Sequence, residues 1–190
     1  MSTPMITNWK KLHASDSELV DPTLYRQLIG CLMSLVNTRP DICFAFNTMS
    51  QFMCEPRKVH WVAAKHILRY LQGAMDFGLD YRQGDRVRLA GYTNSDWAGC
   101  ASDRKSTSGC YFGLVSTVVS WVSRKQQSVA LSSAEAEYMV ASLPSCEAIW
   151  LRKILFGLFG QALRPSVTYS DNQSCIKLKE STFSSQIIAY

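Results

Sequence analysis

Val87-Arg88-Leu89-Ala90-Gly91-Tyr92-Thr93-Asn94-Ser95-Asp96-Trp97 is the stretch in which the chain changes its period. Val87, Leu89 and Gly91 alternate with Arg88, Ala90 and Tyr92, the period-two pattern of a half-buried strand. Asn94 and Asp96, two apart, therefore share one strand face. After a loop through Arg104-Lys105, two more strands are predicted near 108–115 and 117–124. Ser132-Ser133-Ala134-Glu135 is a capping signal opening a helix that carries Glu137. Arg164-Pro165 breaks the chain before a short strand, Val167 to Ser170, and Asp171 opens another helix. Three strands, a helix, a strand and a helix specify a mixed α/β domain.

Upstream of this stretch the period is helical. Leu24, Leu28, Cys31, Leu32 and Leu35 recur at helix spacing, after a break at Asp21-Pro22. Thr38-Arg39-Pro40-Asp41 interrupts, with Asp41 placed to cap a second helix from Ile42 to Met53. Glu55-Pro56 ends that helix. A third is predicted from Val59 to Gln72, burying Val62, Ala63, His66, Ile67 and Tyr70, with Gly73 near its end. The helical pattern gives way around 82–86, which divides the chain into a helical part, 1–84, and an α/β part, 85–190. Pro144 falls inside the predicted helix after Glu137 and should kink it at a cost of about 3 kcal/mol.

With 190 residues and a 47% hydrophobic composition, the chain can bury one ordinary core or two small ones. An 18% charged and 11% aromatic composition is that of a globular protein. No apolar run reaches the roughly 18 residues of a membrane span, and the N-terminus carries no secretory pattern, so an intracellular, non-secreted location is expected. The 7 cysteines include no CxxC pair, and the 3 histidines complete no zinc spacing, so the thiols are expected to be reduced fillers. The net charge of +5 permits a nucleic-acid partner without requiring one. Arg57, Lys58, Lys65 and Arg69, interleaved with Trp61 and Tyr70, suit phosphate contact plus stacking and equally suit a solvated helix face. Arg104, Lys105, Ser106 and Thr107 form a second candidate contact, or a solvated turn.

Three acids stand where secondary structure can aim them: Asp96 after the first strand, Glu137 early in the following helix and Asp171 at the end of the fourth strand. Converging carboxylates repel one another unless a divalent cation neutralises them. Taken singly, Asp171 also reads as a helix cap, Glu137 as a surface acid and Asp96 as a turn former.

The order of motifs carries a resemblance. Gly91 to Gly99, Asp103-Arg104-Lys105-Ser106-Thr107-Ser108-Gly109, Ala130 to Tyr138 and Tyr169-Ser170-Asp171-Asn172-Gln173-Ser174 are similar, in that order, to the signatures of copia-type retrotransposon ribonuclease H. Tyr25-Arg26-Gln27-Leu28-Ile29-Gly30, Asn37 to Ile42 and His60 to Lys65 resemble the preceding end of reverse transcriptase in the same Pol polyproteins. The resemblance implies a ribonuclease H-like mixed sheet with flanking helices, preceded by an α-helical reverse transcriptase tail. It also implies two Mg²⁺ ions, held by four carboxylates, that cleave the RNA strand of an RNA–DNA hybrid. Glu137 and Asp171 then take two of the four metal-ligand places, Asn94 stands at the catalytic place of the first acid, and Asp96, on the same strand face, is the metal-ligand candidate that could partly replace it. Other parts of a Pol polyprotein are possible partners.

Two departures from the pattern imply impairment. The family's first strand reads Asp-x-Asp-Trp, and Asn94 replaces the first, bridging acid with a neutral amide. Losing that metal-linked stabilisation costs on the order of a thousandfold in rate. After Phe183 the family's fourth acid is missing, so the fold is expected to be C-terminally truncated, without a fifth strand or terminal helix. Three readings follow: a weakened ribonuclease H, a catalytically dead duplex-binding module, or an element fragment without function.

Overall fold

A computed structural model describes residues 2–7, 16–82, 88–114, 117–160, 165–170 and 172, and the backbone of 187–189. The chain divides into two compact units, Met1–Leu79 with Cys100–Asp103, and Asp80–Gly99 with Arg104–Tyr190. Asp80 and Tyr81 already belong to the second unit. The Thr117 hydroxyl donates to the Asp80 carbonyl, and the Tyr81 hydroxyl donates to the Val118 carbonyl.

The first unit is helical: α1 (Pro22–Val36), a 3-10 turn (Pro40–Ile42), α2 (Cys43–Ser50) and α3 (Lys58–Gln72). Asp21 caps α1 through its carboxylate, which accepts from Thr23 N at 2.7 Å. The buried stripe of α1 is Tyr25, Ile29 and Leu32; of the expected row Leu24, Leu28, Cys31, Leu32 and Leu35, Leu32 is buried and Leu28 half-buried, while Leu24, Cys31 and Leu35 face solvent. Tyr25 can be buried because its hydroxyl reaches the Met49 carbonyl at 2.9 Å. The face of α3 also differs from expectation. His60, Ala63, Ala64, Ile67 and Tyr70 are buried, whereas Val62 is exposed and His66 only half-buried. His60 stacks on Phe52 and accepts from Arg57 N through Nδ1, so a polar ring fits the core. Asp41 caps no helix; its carboxylate is held by Arg39 and by the Tyr70 hydroxyl.

The second unit is built on β1 (Leu89–Asp96), β2 (Thr107–Leu114), β3 (Thr117–Lys125), α4 (Ser133–Val140), α5 (Ser142–Phe159), β4 (Val167–Ser170) and β5 (Ile187–Ala189). Its sheet has the order β3-β2-β1-β4-β5, with β1 antiparallel to β2 and parallel to β4. The first and fourth strands are thus neighbours inside one mixed sheet. The expected absence of a fifth strand is corrected, since Ile187–Ala189 pairs in parallel with β4. The helix expected after Asp171 and the period change at Gly84-Asp85 lie outside the described residues.

Helices α4 and α5 pack on β1 and β2, where Leu89, Phe112 and Leu151 form the core. Gly91 lies opposite Phe112, and a side chain there would overlap the Phe112 ring. On alternate positions Tyr111, Tyr92 and Tyr169 stack across three strands, with ring centroids 4.7 and 5.1 Å apart. The Pro144 kink takes the form of a break at Ala141. Pro144 then sits in the first turn of α5, where its missing N–H costs little. Of the described cysteines, none of them in a disulfide, only Cys100 and Cys110 are buried.

Candidate active site

Glu137 is turned inward by the way α4 begins. Ser132 caps the helix by accepting from Glu135 N at 3.1 Å, and the Glu135 carboxylate reaches back to Leu131 N at 2.6 Å. Glu135 is thereby spent on the helix start, while Glu137, half a turn further on, lies 5% exposed against β1. Its Oε1 accepts from Ser95 N at 2.6 Å, a charge-assisted bond to the residue between Asn94 and Asp96. Glu137 therefore touches β1 at the backbone between Asn94 and Asp96. Asp171 lies outside the described residues.

A polar core beneath this point was not visible in the sequence. Gln126, just past β3, donates through Nε2 to Ser108 Oγ and the Ala136 carbonyl, both at 3.0 Å, and lies 3.5 Å from Ser95 Oγ. Its backbone N–H donates to the Ser106 carbonyl. One buried amide thus ties β1, β2 and the turn of α4 that precedes Glu137. Only the polarity of Gln126 beside a β-rich run hinted at it.

Asp96 is half-buried, and a Cβ added at Gly99 would overlap its carboxylate. Glycine at 99 is what lets the chain turn back over Asp96. Asn94 is exposed. Among the described residues, no three His, Cys, Asp or Glu side chains gather to hold a metal ion. Two Mg²⁺ ions do not fit the described donor set: the Asn94 amide is neutral, Asp96 packs on Gly99 and Glu137 receives a backbone N–H.

The basic candidates separate into two kinds. Lys58, Lys65 and Arg69 are exposed and follow one stripe of α3, with the Lys65 ammonium 4.9 Å from the Trp61 ring centroid. Arg57 is engaged within its own unit, donating to the Ser17 carbonyl and Glu55. In the second unit Arg104 is exposed, while Lys105 and Thr107 are half-buried. Ser106 is corrected from a surface contact to a wholly buried residue whose Oγ accepts from Ala98 N at 3.0 Å. It anchors the loop because Ala98 N has no strand partner there. Among the described residues, no helix is long and apolar enough to cross a membrane.

The chain is 41% identical over 172 residues to the retrovirus-related Pol polyprotein from transposon RE2 of Arabidopsis thaliana, a match covering 90% of this chain and 12% of the relative. The chain belongs to the copia-type Pol polyprotein family. This Pol segment therefore spans about an eighth of the relative's length. It is also 46% identical over 128 residues to the secreted RxLR effector protein 161 of Plasmopara viticola, covering 67% of this chain and 90% of that protein. Among solved structures, the foamy viral protease-reverse transcriptase in complex with dsDNA shares its fold. The TM-score is 0.51 at 13% identity, over 96% of this chain and 37% of that one. No protein-family model matches this Pol segment.

Proposed function

We propose that the second unit is a ribonuclease H-like module of a Pol polyprotein that engages RNA–DNA hybrids and has lost most or all hydrolysis of the RNA strand. The observation that carries this reading is the hydrogen bond from Ser95 N to Glu137, which brings an acid from the first helix onto β1 beside an asparagine. The sheet order, with β1 between β2 and β4, supports the ribonuclease H-like half of the proposal. The neutral Asn94 supports the loss. In the intact family two Mg²⁺ ions would activate water and stabilise the leaving oxygen. The residues here do something more limited: Glu137 braces the β1 end and Gln126 braces the helix that carries it. Hybrid recognition would rest on charge and duplex shape, through Arg104 and Lys105 and, on the first unit, Lys58, Lys65 and Arg69.

The test is gel analysis of a labelled RNA–DNA hybrid in Mg²⁺, with binding followed separately by fluorescence anisotropy. The parent protein should bind the hybrid, more weakly as salt rises, and leave its RNA strand intact. Asn94→Asp should raise Mg²⁺ affinity measured by calorimetry more than it raises cleavage. A parent that cleaves as fast as Asn94→Asp would overturn the proposed loss. A parent that neither binds nor cleaves would overturn the whole reading.

A further inference from the structure

The segment Trp97–Ser106 joins β1 to β2. Two of its non-glycine residues adopt left-handed backbone, Ala98 at φ 50° and Arg104 at φ 56°. Such conformations persist only where the surroundings enforce them, and they cluster at functional sites. Here the enforcing contacts are visible. Ala98 N donates to the buried Ser106 hydroxyl, Gly99 N donates to the Asp96 carbonyl, and Asp96 fills the space that a side chain at Gly99 would need.

What these contacts hold in place is Trp97. Its indole Nε1 donates to the Ala130 carbonyl at 3.2 Å, yet the residue remains 47% exposed. Val129 and Leu131, flanking that carbonyl, are also exposed, Leu131 by 87%. A large apolar ring is therefore held at the surface with its polar atom already satisfied, so only its π-face remains to offer. Arg104, exposed on the same segment, carries a positive charge. An aromatic face plus a cation on the same segment is the chemistry of single-strand recognition, in which a base stacks on the ring and phosphates meet the charge. Inside a duplex the bases stack on one another, so apart from its end pairs a blunt duplex offers the indole only sugar and phosphate.

We infer that Trp97 is a stacking residue for an unpaired nucleotide, which gives this Pol segment a single-strand contact beside the Asn94–Asp96–Glu137 site. The inference rests on the nucleic-acid reading above but concerns a different ligand form, so the two can fail separately. The contact would accept a single-stranded extension of the hybrid.

Anisotropy titrations of the full chain with a labelled 12-nucleotide RNA and with a blunt hybrid of the same sequence test it. Trp97→Ala should weaken binding of the single strand by roughly 5- to 100-fold, the range expected for loss of one base–aromatic stack. Blunt-hybrid binding should stay within about twofold, and Trp97→Phe should restore much of the single-strand affinity. Arg104→Ala should weaken the single strand and flatten its salt dependence. Equal losses on both ligands, with Phe no better than Ala, would overturn the inference in favour of a structural role for the indole. A parent that ignores single-stranded RNA but self-associates through Trp97 in sedimentation would overturn it in favour of a protein contact. Failure of the parent on the blunt hybrid alone would sink the hybrid-binding reading and leave this inference standing.

Discussion

Glu137 accepts its 2.6 Å hydrogen bond from the backbone N–H of Ser95, with two strands between them in sequence, and so joins α4 to the end of β1. A buried carboxylate in this position bears on stability as well as on chemistry. Glu137→Ala would leave Ser95 N without its acceptor and should destabilise the second unit by about 1–3 kcal/mol. Glu137→Gln keeps an acceptor oxygen and should cost less than about half as much. Urea unfolding followed by circular dichroism checks both, and equal losses for Ala and Gln would show that the bond contributes nothing beyond the space it fills.

Gln126 and Glu137 act on the same turn of α4, because the Ala136 carbonyl accepts from Gln126 Nε2. Gln126→Ala should cost about 1–3 kcal/mol by stranding Ser108 and Ala136 polar atoms. Combined with Glu137→Ala, the losses should fall short of additive by about 0.5–3 kcal/mol, as expected for residues in one network. Strict additivity in the double-mutant cycle would show that the two residues are independent.

Gly91 lies under the Phe112 ring, and Phe112 is wholly buried. Gly91→Ala should therefore destabilise the sheet by about 1–3 kcal/mol through overpacking. The double variant Gly91→Ala, Phe112→Leu should recover part of that loss despite its smaller ring-free core. Thermal melts of the three proteins decide, and a neutral Gly91→Ala would show that the two strands separate easily.

Asp41 contributes a pH dependence to the first unit. Its burial would raise the carboxyl pKa, but hydrogen bonds from Arg39 and Tyr70 and the Arg39 charge outweigh this and hold it below the ordinary value. A carboxyl depressed in the folded state contributes its stabilisation above the unfolded pKa of about 3.9 and loses it as pH falls through the lower, folded value. Asp41→Asn should cost about 1–2 kcal/mol near neutrality, discounted for the partial exposure of the site. The gap between parent and variant should close below about pH 4. A gap that widens in acid would reverse the assigned sign.

The sequence by itself determined the order and type of the elements from α1 to α4 and of β4, because side-chain period and turn residues are local signals. The alternation from Leu89 onward, the cap at Ser132 and the break before Val167 all correspond to the boundaries of β1, α4 and β4. It also singled out Asn94, Asp96 and Glu137, since a motif carries its spacing in one dimension. Tertiary structure alone decided which face of each helix was buried. Tyr25 and His60 outcompeted more apolar neighbours only because Met49 O and Arg57 N were there to satisfy their polar atoms. It also decided that Ser106 is an anchor, that Gln126 lies under the site and that Ile187–Ala189 adds a strand. In each case the deciding partner belongs to another segment, and the hydrogen bond that makes burial affordable forms only when the chain brings the two together.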